Sequence, residues 1–463
     1  MNRRSQTLMI AVGLGVMLNP LNSSMVSMAL PSLQEAFALD FASVSWIIFA
    51  FYVCSAAAQP VMGRMSDVLG RRRIFLTGLF VSMIASFAAA FAPTFGWLVA
   101  LRILQSIGTS MMIAVGMAIV RVHVLGKQGS ALAILSIFLS GAAAIGPFVG
   151  GFLIHAWDWR AIFLVNVPVA AFAFLLAWRV LPRDTPKKAL DGPPPSRRTR
   201  MRQLDPVGIL LFGSGLTALM LGLLAVSSSG TLSAKSVGLG LAGMVLLAIW
   251  VRHEWRHPSP FVPVRMFVRY PELSRVNLEF MLVNLLFYSI FFGLPSYLQS
   301  VRGLSELHAG WLMLSLGLCS LLAAPFAGRG VDRLGPRPLL LLSAVLMAGG
   351  SLGLAVIGTQ VSVLWFVPIL AAFGIANGLN GVAMQAALFE HTPAAMAGVT
   401  SGLFHTSRYL GTILSSLLIA SVMGGAFTHD GLHRLGCILS VCTLVLVWTG
   451  RAGFGRTSRS PNR

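Results

Sequence analysis

The sequence predicts an all-α membrane protein of two six-helix halves with two further helices inserted between them, fourteen spans in all. Of its 463 residues, 56% are hydrophobic and only 10% charged, too little polar surface to cover a water-soluble fold of that size. Apolar runs of about 20 residues, the length that crosses ~30 Å of hydrocarbon, follow one another from end to end. The segment Trp46 to Arg72 recurs without a gap as Trp311 to Arg337, matching Trp46/Trp311, Cys54/Cys319, Pro60/Pro325, Gly63/Gly328, Arg64/Arg329, Asp67/Asp332, Gly70/Gly335 and Arg72/Arg337. A duplicated half of this kind is typical of alternating-access transporters.

The runs fall in order. The first, 7–30, follows Arg3 and Arg4 and is long for a signal-peptide core, so it reads as an uncleaved first helix. Runs at 43–62, 74–93, 97–120, 130–154 and 161–181 complete an N-terminal half, 1–181. A Pro/Arg/Lys-rich cytoplasmic linker, 182–205, contains Pro193-Pro194-Pro195 and cannot be helical throughout. The repeat copies lie on the second and tenth runs, eight helices apart where adjacent six-helix halves would place them six apart. The runs at 206–227 and 236–252 are therefore the insertion (206–252). A second cytoplasmic connector, 253–274, mixes prolines, arginines and aromatics suited to the membrane surface. Runs at 275–299, 308–328, 338–358, 362–388, 398–423 and 432–451 form the C-terminal half (275–451), before a tail, 452–463.

The net charge of +20 is distributed by topology. With the N-terminus cytoplasmic, 28 of the 34 Lys and Arg fall on inside segments, including Lys127, and four on outside loops (Arg160, Lys235, Arg302, Arg434). This asymmetry places both termini in the cytoplasm, and no nucleic-acid partner is needed to explain the charge. Cys54, Cys319, Cys437 and Cys442 all lie in spans, against a disulfide framework and for packing roles. No metal-binding His/Cys spacing, phosphate-cradling loop or nucleophile with a base is evident, so an enzyme is not expected.

Several segments carry a family resemblance. Gly63-Arg64-Met65-Ser66-Asp67-Val68-Leu69-Gly70-Arg71-Arg72-Arg73 has the spacing of the loop 2–3 signature of the major facilitator superfamily. Glycines permit the tight turn, and an acid among arginines can form ion pairs that break as halves rock. Leu101 to Gly108 resembles the span 4 signature, with Ser106 where a glycine is usual. Gly146-Pro147-Phe148-Val149-Gly150-Gly151 resembles the span 5 signature of the antiporters, with Ala142 replacing its upstream glycine. Trp157 to Pro168 is similar to the start of span 6 in the fourteen-helix drug:proton antiporter family.

The resemblance implies a major facilitator fold with gating residues Gly63, Asp67, Gly70, Arg71, Arg72, Gly328, Asp332, Gly335, Arg337, Gly146, Pro147, Gly150 and Gly151. Span 1 departs from the family as well: Asn22 stands where it usually carries an aspartate. An amide can bind substrate but cannot exchange a proton near neutral pH.

Helical spacing gathers polar residues on single faces near mid-bilayer. Asn19, Asn22 and Ser23 cluster in span 1, Asn284 and Tyr288 in span 9, Asn377 and Asn380 in span 12, and Arg102, Gln105 and Thr109 in span 4. Facing lipid they would be costly, so they are expected to point into the bundle, either lining a substrate cavity or holding helices together. Candidates for proton coupling are Arg102, Glu279, His405 and Arg408. Glu279 lies nearly opposite Asn284 and reads equally as a gating residue. His405 shares a face with Arg408 and reads as a packed neutral histidine or a relay. Arg102 marks a pathway, and the resemblance links it to proton movement; with no acid in span 1 it could instead hold an anionic substrate group or backbone carbonyls.

The expected function is export of small amphipathic compounds across the cytoplasmic (inner) membrane by a monomer, with no cofactor and the proton gradient as energy source. The resemblance also admits a periplasmic adaptor and an outer-membrane channel as partners. The competing readings are a uniporter or symporter of a neutral or anionic metabolite, and a non-transporting membrane receptor or scaffold.

Overall fold

The computed structural model describes residues 3–39, 41–123, 128–184, 204–229, 233–304, 306–358, 361–390, 392–393, 396–423 and 428–452. Most of the predicted linker, Lys127 and all but the first residue of the tail lie outside them. The helices are α1 (Arg3–Val16), α2 (Leu18–Met28), α3 (Leu30–Phe37), α4 (Phe41–Leu69), α5 (Arg71–Ala89), α6 (Phe95–His123), α7 (Gln128–Ala156), α8 (Ala161–Leu164) and α9 (Asn166–Val180). They continue with α10 (Pro206–Ser229), α11 (Ala234–Arg256), α12 (Arg265–Arg269), α13 (Pro271–Ser300), α14 (Glu306–Leu334), α15 (Pro336–Val356), α16 (Phe366–Glu390), α17 (Ala397–Met423) and α18 (His429–Ala452).

Prolines account for the breaks. Pro20, Pro31 and Pro168 have no N–H to offer the carbonyl four residues upstream. The first span accordingly divides near Met17 and again near Ala29, and the sixth divides at Val165 into α8 and α9. Where proline opens a helix it costs nothing, since the first N–H groups have no partner anyway, and Pro271 and Pro336 stand there in α13 and α15. The two repeat copies give α4 and α14, both 29 residues long with Pro60 and Pro325 at matching interior positions.

Thirteen helical stretches among the described residues are long and apolar enough to cross a membrane. The predicted span at 398–423 coincides with α17, which is not among them because it carries His405, Arg408 and several hydroxyls. Large apolar side chains face outward, Phe148 being 78% exposed, as expected where lipid is the solvent. Exposed tryptophans form two belts: Trp97, Trp157, Trp311 and Trp365 at one end, and Trp178, Trp255 and Trp448 at the end that carries the Gly-Arg turns.

Helices α1 to α9 pack on one another, as do α13 to α18, and the two groups meet along two seams, α4 with α17 and α7 with α14. The inserted α10 and α11 pack mainly against each other, and α10 touches α4 and α17. The connector after α11 is anchored inward: Phe261 and Val262 are fully buried, and the Phe261 ring lies 5.8 Å from Phe212 of α10.

Candidate functional site

Between the two seams lies a cavity of about 550 Å³, the size of a small-molecule site. Its walls include Asn19 and Ser24 of α2 and Tyr52 of α4, facing Asn284 and Tyr288 of α13, Asn377 and Gln385 of α16, and His405, Arg408 and Tyr409 of α17. It reaches the end opposite the Gly-Arg turns, where Ser27, Leu30, Ile48 and Phe292 line it. Four residues expected on its walls are therefore there: Asn19, Asn284, Tyr288 and Asn377. Asn22, Arg102, Gln105 and Asn380 lie behind the walls, because α4 and α5 pack over the polar face of α6, and Asn380 turns toward α15.

Three of those displaced residues, Asn22, Arg102 and Gln105, are joined in one hydrogen-bonded network. Asn22 Oδ1 accepts from Gln105 Nε2 at 3.1 Å and from Asn166 Nδ2 at 2.7 Å. Gln105 also donates to Ser86 Oγ at 2.6 Å and accepts from Arg102 through Oε1. The Arg102 guanidinium stacks 4.2 Å from the centre of the Phe51 ring, and its Nε and Nη2 have no hydrogen-bond partner. Asn380 accepts from Ser343 at 2.8 Å, and Asn377 donates to Ser320 at 2.9 Å. Sequence spacing missed Asn166 as a network member, although it lies in the span 6 motif. It also missed Tyr409, which the 100° helical step sets off the Arg408 face; its hydroxyl donates to Asn19 Oδ1 and accepts from Gln59, both at 3.3 Å, tying α17 to α2 and α4.

Among the proton-coupling candidates, His405 and Arg408 are on the cavity wall and Glu279 is not. Glu279 is 8% exposed and ion-paired to Arg275 one turn back at 2.8 Å. Both ring nitrogens of His405 are buried without a partner. Arg408 donates to the Tyr409 hydroxyl at 3.3 Å, with its guanidinium 5.0 Å from that ring centre.

The Gly-Arg turns close the other end. Asp67 accepts from the backbone N–H groups of Gly398 at 3.3 Å and Val399 at 3.2 Å, at the N-terminus of α17. In the repeat copy, Asp332 accepts from the N–H groups of Gly129 at 2.8 Å and Ser130 at 3.0 Å, at the N-terminus of α7, and from the Ser130 hydroxyl. Each acid thus caps a helix of the opposite group, where unpaired N–H groups and the helix dipole favour a negative charge. Asp67 also pairs with Arg71 at 3.1 Å, but the bonds across the seam are to backbone rather than to arginines. Contact is close: a Cβ on Gly328 would come within 2.8 Å of the Gly129 carbonyl oxygen, and one on Gly63 would strike that of Gly398.

Gly70 (φ 111°) and Gly335 (φ 78°) make the turns in a backbone region that favours glycine. Asp184 accepts from the N–H groups of Arg72 at 2.9 Å and Arg73 at 3.1 Å, and Arg72 donates to the Trp178 carbonyl at 2.6 Å. In α7, Pro147 lines the cavity, Gly146 meets Ser24 and Gly150 meets Met25, whereas Gly151 has open space around it.

Among the described residues one group could present three ligand atoms to a metal ion. Asp205, His253 and His257 hold such atoms within 4.8 Å of one another. Its sequence signal is the His253-x-x-x-His257 spacing, which stands against the expectation of no metal-binding His/Cys spacing. Asp205 is already employed there, accepting from Gly208 N–H at 3.0 Å and sharing a hydrogen bond with His253 Nε2 at 3.0 Å.

Comparison with known proteins gives this architecture a family. The chain is 42% identical over 431 residues to the uncharacterised MFS-type transporter YwoD of Bacillus subtilis (strain 168), covering 93% of each. It is 29% identical over 407 residues to the multidrug resistance protein B homolog of Mycobacterium tuberculosis (strain ATCC 25618 / H37Rv), covering 86% of this chain and 73% of that one. The fold matches that of the human organic anion transporter MFSD10 with a TM-score of 0.70 at 17% identity, over 96% of this chain and 100% of the other. The family model for the Major Facilitator Superfamily matches residues 12–416, taking in the cavity and both capped turns. With repeat, turns and match in agreement, the chain belongs to the major facilitator superfamily, whose members are transporters and not enzymes.

Proposed function

We propose that the protein is a secondary transporter of the cytoplasmic membrane that exports small amphipathic compounds in exchange for protons, one six-helix half rocking against the other. The observation that carries this reading is a cavity between the halves whose lining reaches one end, paired with two capped seams at the other. Positive-inside topology assigns the capped end to the cytoplasm, so the conformation is the outward-facing one, ready to release substrate. Its return requires Asp67 and Asp332 to leave the helix N-termini they cap. Relatives named as a multidrug resistance protein B homolog and, in Streptomyces glaucescens, a tetracenomycin C resistance and export protein support the export direction.

His405 is the proton carrier this reading assigns: it is on the cavity wall, buried, with neither ring nitrogen hydrogen-bonded. Proteoliposomes loaded with a panel of lipophilic compounds test the coupling. An imposed pH gradient should drive efflux in the native chain, and His405→Gln should abolish the gradient response while preserving exchange of substrate for substrate. Efflux indifferent to the gradient in the native chain would replace antiport with facilitated diffusion. A second reading, uniport or symport of a neutral or anionic metabolite, is favoured by one observation: no carboxylate is among the described cavity walls.

A further inference from the structure

The charge on the cavity wall says what kind of molecule it holds. Arg408 is the cationic side chain among the described lining residues, and no acid is there to balance it. The acids that could have served are committed elsewhere. Asp67, Asp184 and Asp332 cap helices at the turn end, Asp205 meets His253, and Glu272 and Glu279 pair with Arg275. What surrounds Arg408 instead is hydroxyl and ring: Tyr52, Tyr288 and Tyr409. Its own hydrogen bond, to the Tyr409 hydroxyl at 3.3 Å, is long and to a neutral group. An arginine in a poorly hydrated site without a counter-ion is stabilised by whichever anion can reach it.

Two further groups point the same way. His405, one turn from Arg408, is 4% exposed with both ring nitrogens unpartnered, and Gln385 is 2% exposed with its Nε2 unpartnered. Both line the cavity, and a neutral imidazole and an amide each bring an N–H to a wall that lacks acceptors for them. Tyr288 of α13 interacts with Arg408 across the cavity and leads into an aromatic wall on its own helix, 5.4 Å from Phe292 and 6.0 Å from Phe291, ring centre to ring centre. Rings of this kind take up a flat aromatic body by offset or edge contacts.

We propose that the cavity is a binding site for small aromatic organic anions, the acidic group held by Arg408 with His405 as a neutral donor and the ring system against Tyr288. The proposal rests on the export reading for the direction of movement only; binding itself can be measured without flux.

Three probes share one ring system and differ in charge: naphthalene-2-sulfonate, naphthalene-2-sulfonamide and 2-naphthyltrimethylammonium. Equilibrium dialysis against the solubilised full chain should show the sulfonate bound about tenfold or more tighter than the ammonium. Arg408→Gln should weaken the sulfonate by about tenfold and leave the neutral sulfonamide within about twofold. Arg408→Lys, which keeps the charge, should retain most of the sulfonate affinity and shows that the site still forms. Equal or tighter binding of the ammonium, a parallel loss of all three probes in Arg408→Gln, or no binding of any probe to the native chain would overturn the proposal. Selective sulfonate binding without efflux from vesicles would leave it standing and remove the export reading alone.

Discussion

Arg102 on α6 and Arg408 on α17 are both cations inside helices of membrane length, yet the first is sealed among Gln105 and Phe51 while the second is turned to the cavity among tyrosines. The same contrast runs through their neighbours. Asn22, Gln105, Asn166 and Ser86 pair with one another out of reach of any ligand, whereas Asn284 and His405 lean on nothing outside their own helices through a hydrogen bond. Polar residues in spans therefore include a sealed network in the N-terminal helices and a cavity wall whose members are paired in some cases, as Asn19 and Asn377 are, and free of a hydrogen bond to another helix in others, as Asn284 and His405 are.

Mutations can break that division. The largest stability change is expected at Arg102→Met, which removes a buried charge having no counter-ion and two unpartnered nitrogens. The denaturation midpoint in mixed micelles should rise, by about 1–4 kcal/mol in stability, while transport falls. A fall in stability would show that the guanidinium is structural. Asn22→Leu strips one acceptor from both Gln105 and Asn166, leaving a buried N–H on each, and should cost about 2 kcal/mol by the same titration. If stability is unchanged, water or a rearranged neighbour replaces the amide and the network is not tightly packed. Asn284→Leu is the smallest: its amide donates only to the Phe280 carbonyl at 2.7 Å on its own helix, so stability should stay within about 0.5 kcal/mol. A cost matching that of Asn22→Leu would erase the distinction between network and wall.

The architecture was legible where the residues encode geometry directly. The repeat foretold two helices of equal length with prolines in step, and the Gly-Arg turns foretold glycines at positive φ. Composition alone foretold the membrane. The site was half legible, for a definite reason. A 3.6-residue period tells which side chains share a face, as Arg102, Gln105 and Thr109 do, but not which helix covers it. Arg102 and Asn377 carry equal signals in the sequence; α4 and α5 bury one, and the gap between α13 and α16 exposes the other. Partners far apart in the chain, such as Asn166 for Asn22 or Tyr409 for Asn19, leave no periodic trace. The acids of the turns likewise named themselves, while the backbone N–H groups that receive them depend on a seam no local pattern describes.

The polarity of α17 has a consequence for how that helix stays in the bilayer. A single arginine near the centre of a lone helix costs roughly 2.5–3.5 kcal/mol on passing from the translocon into lipid, and α17 adds a histidine and several hydroxyls to that. Such a segment partitions less readily alone than the more apolar spans do. In the fold it packs chiefly against α4 and α13, which shield it from lipid. The helix that carries the cavity's charge is thus kept in the bilayer by its neighbours, so weakening the packing of α4 or α13 on it would expose Arg408 to lipid.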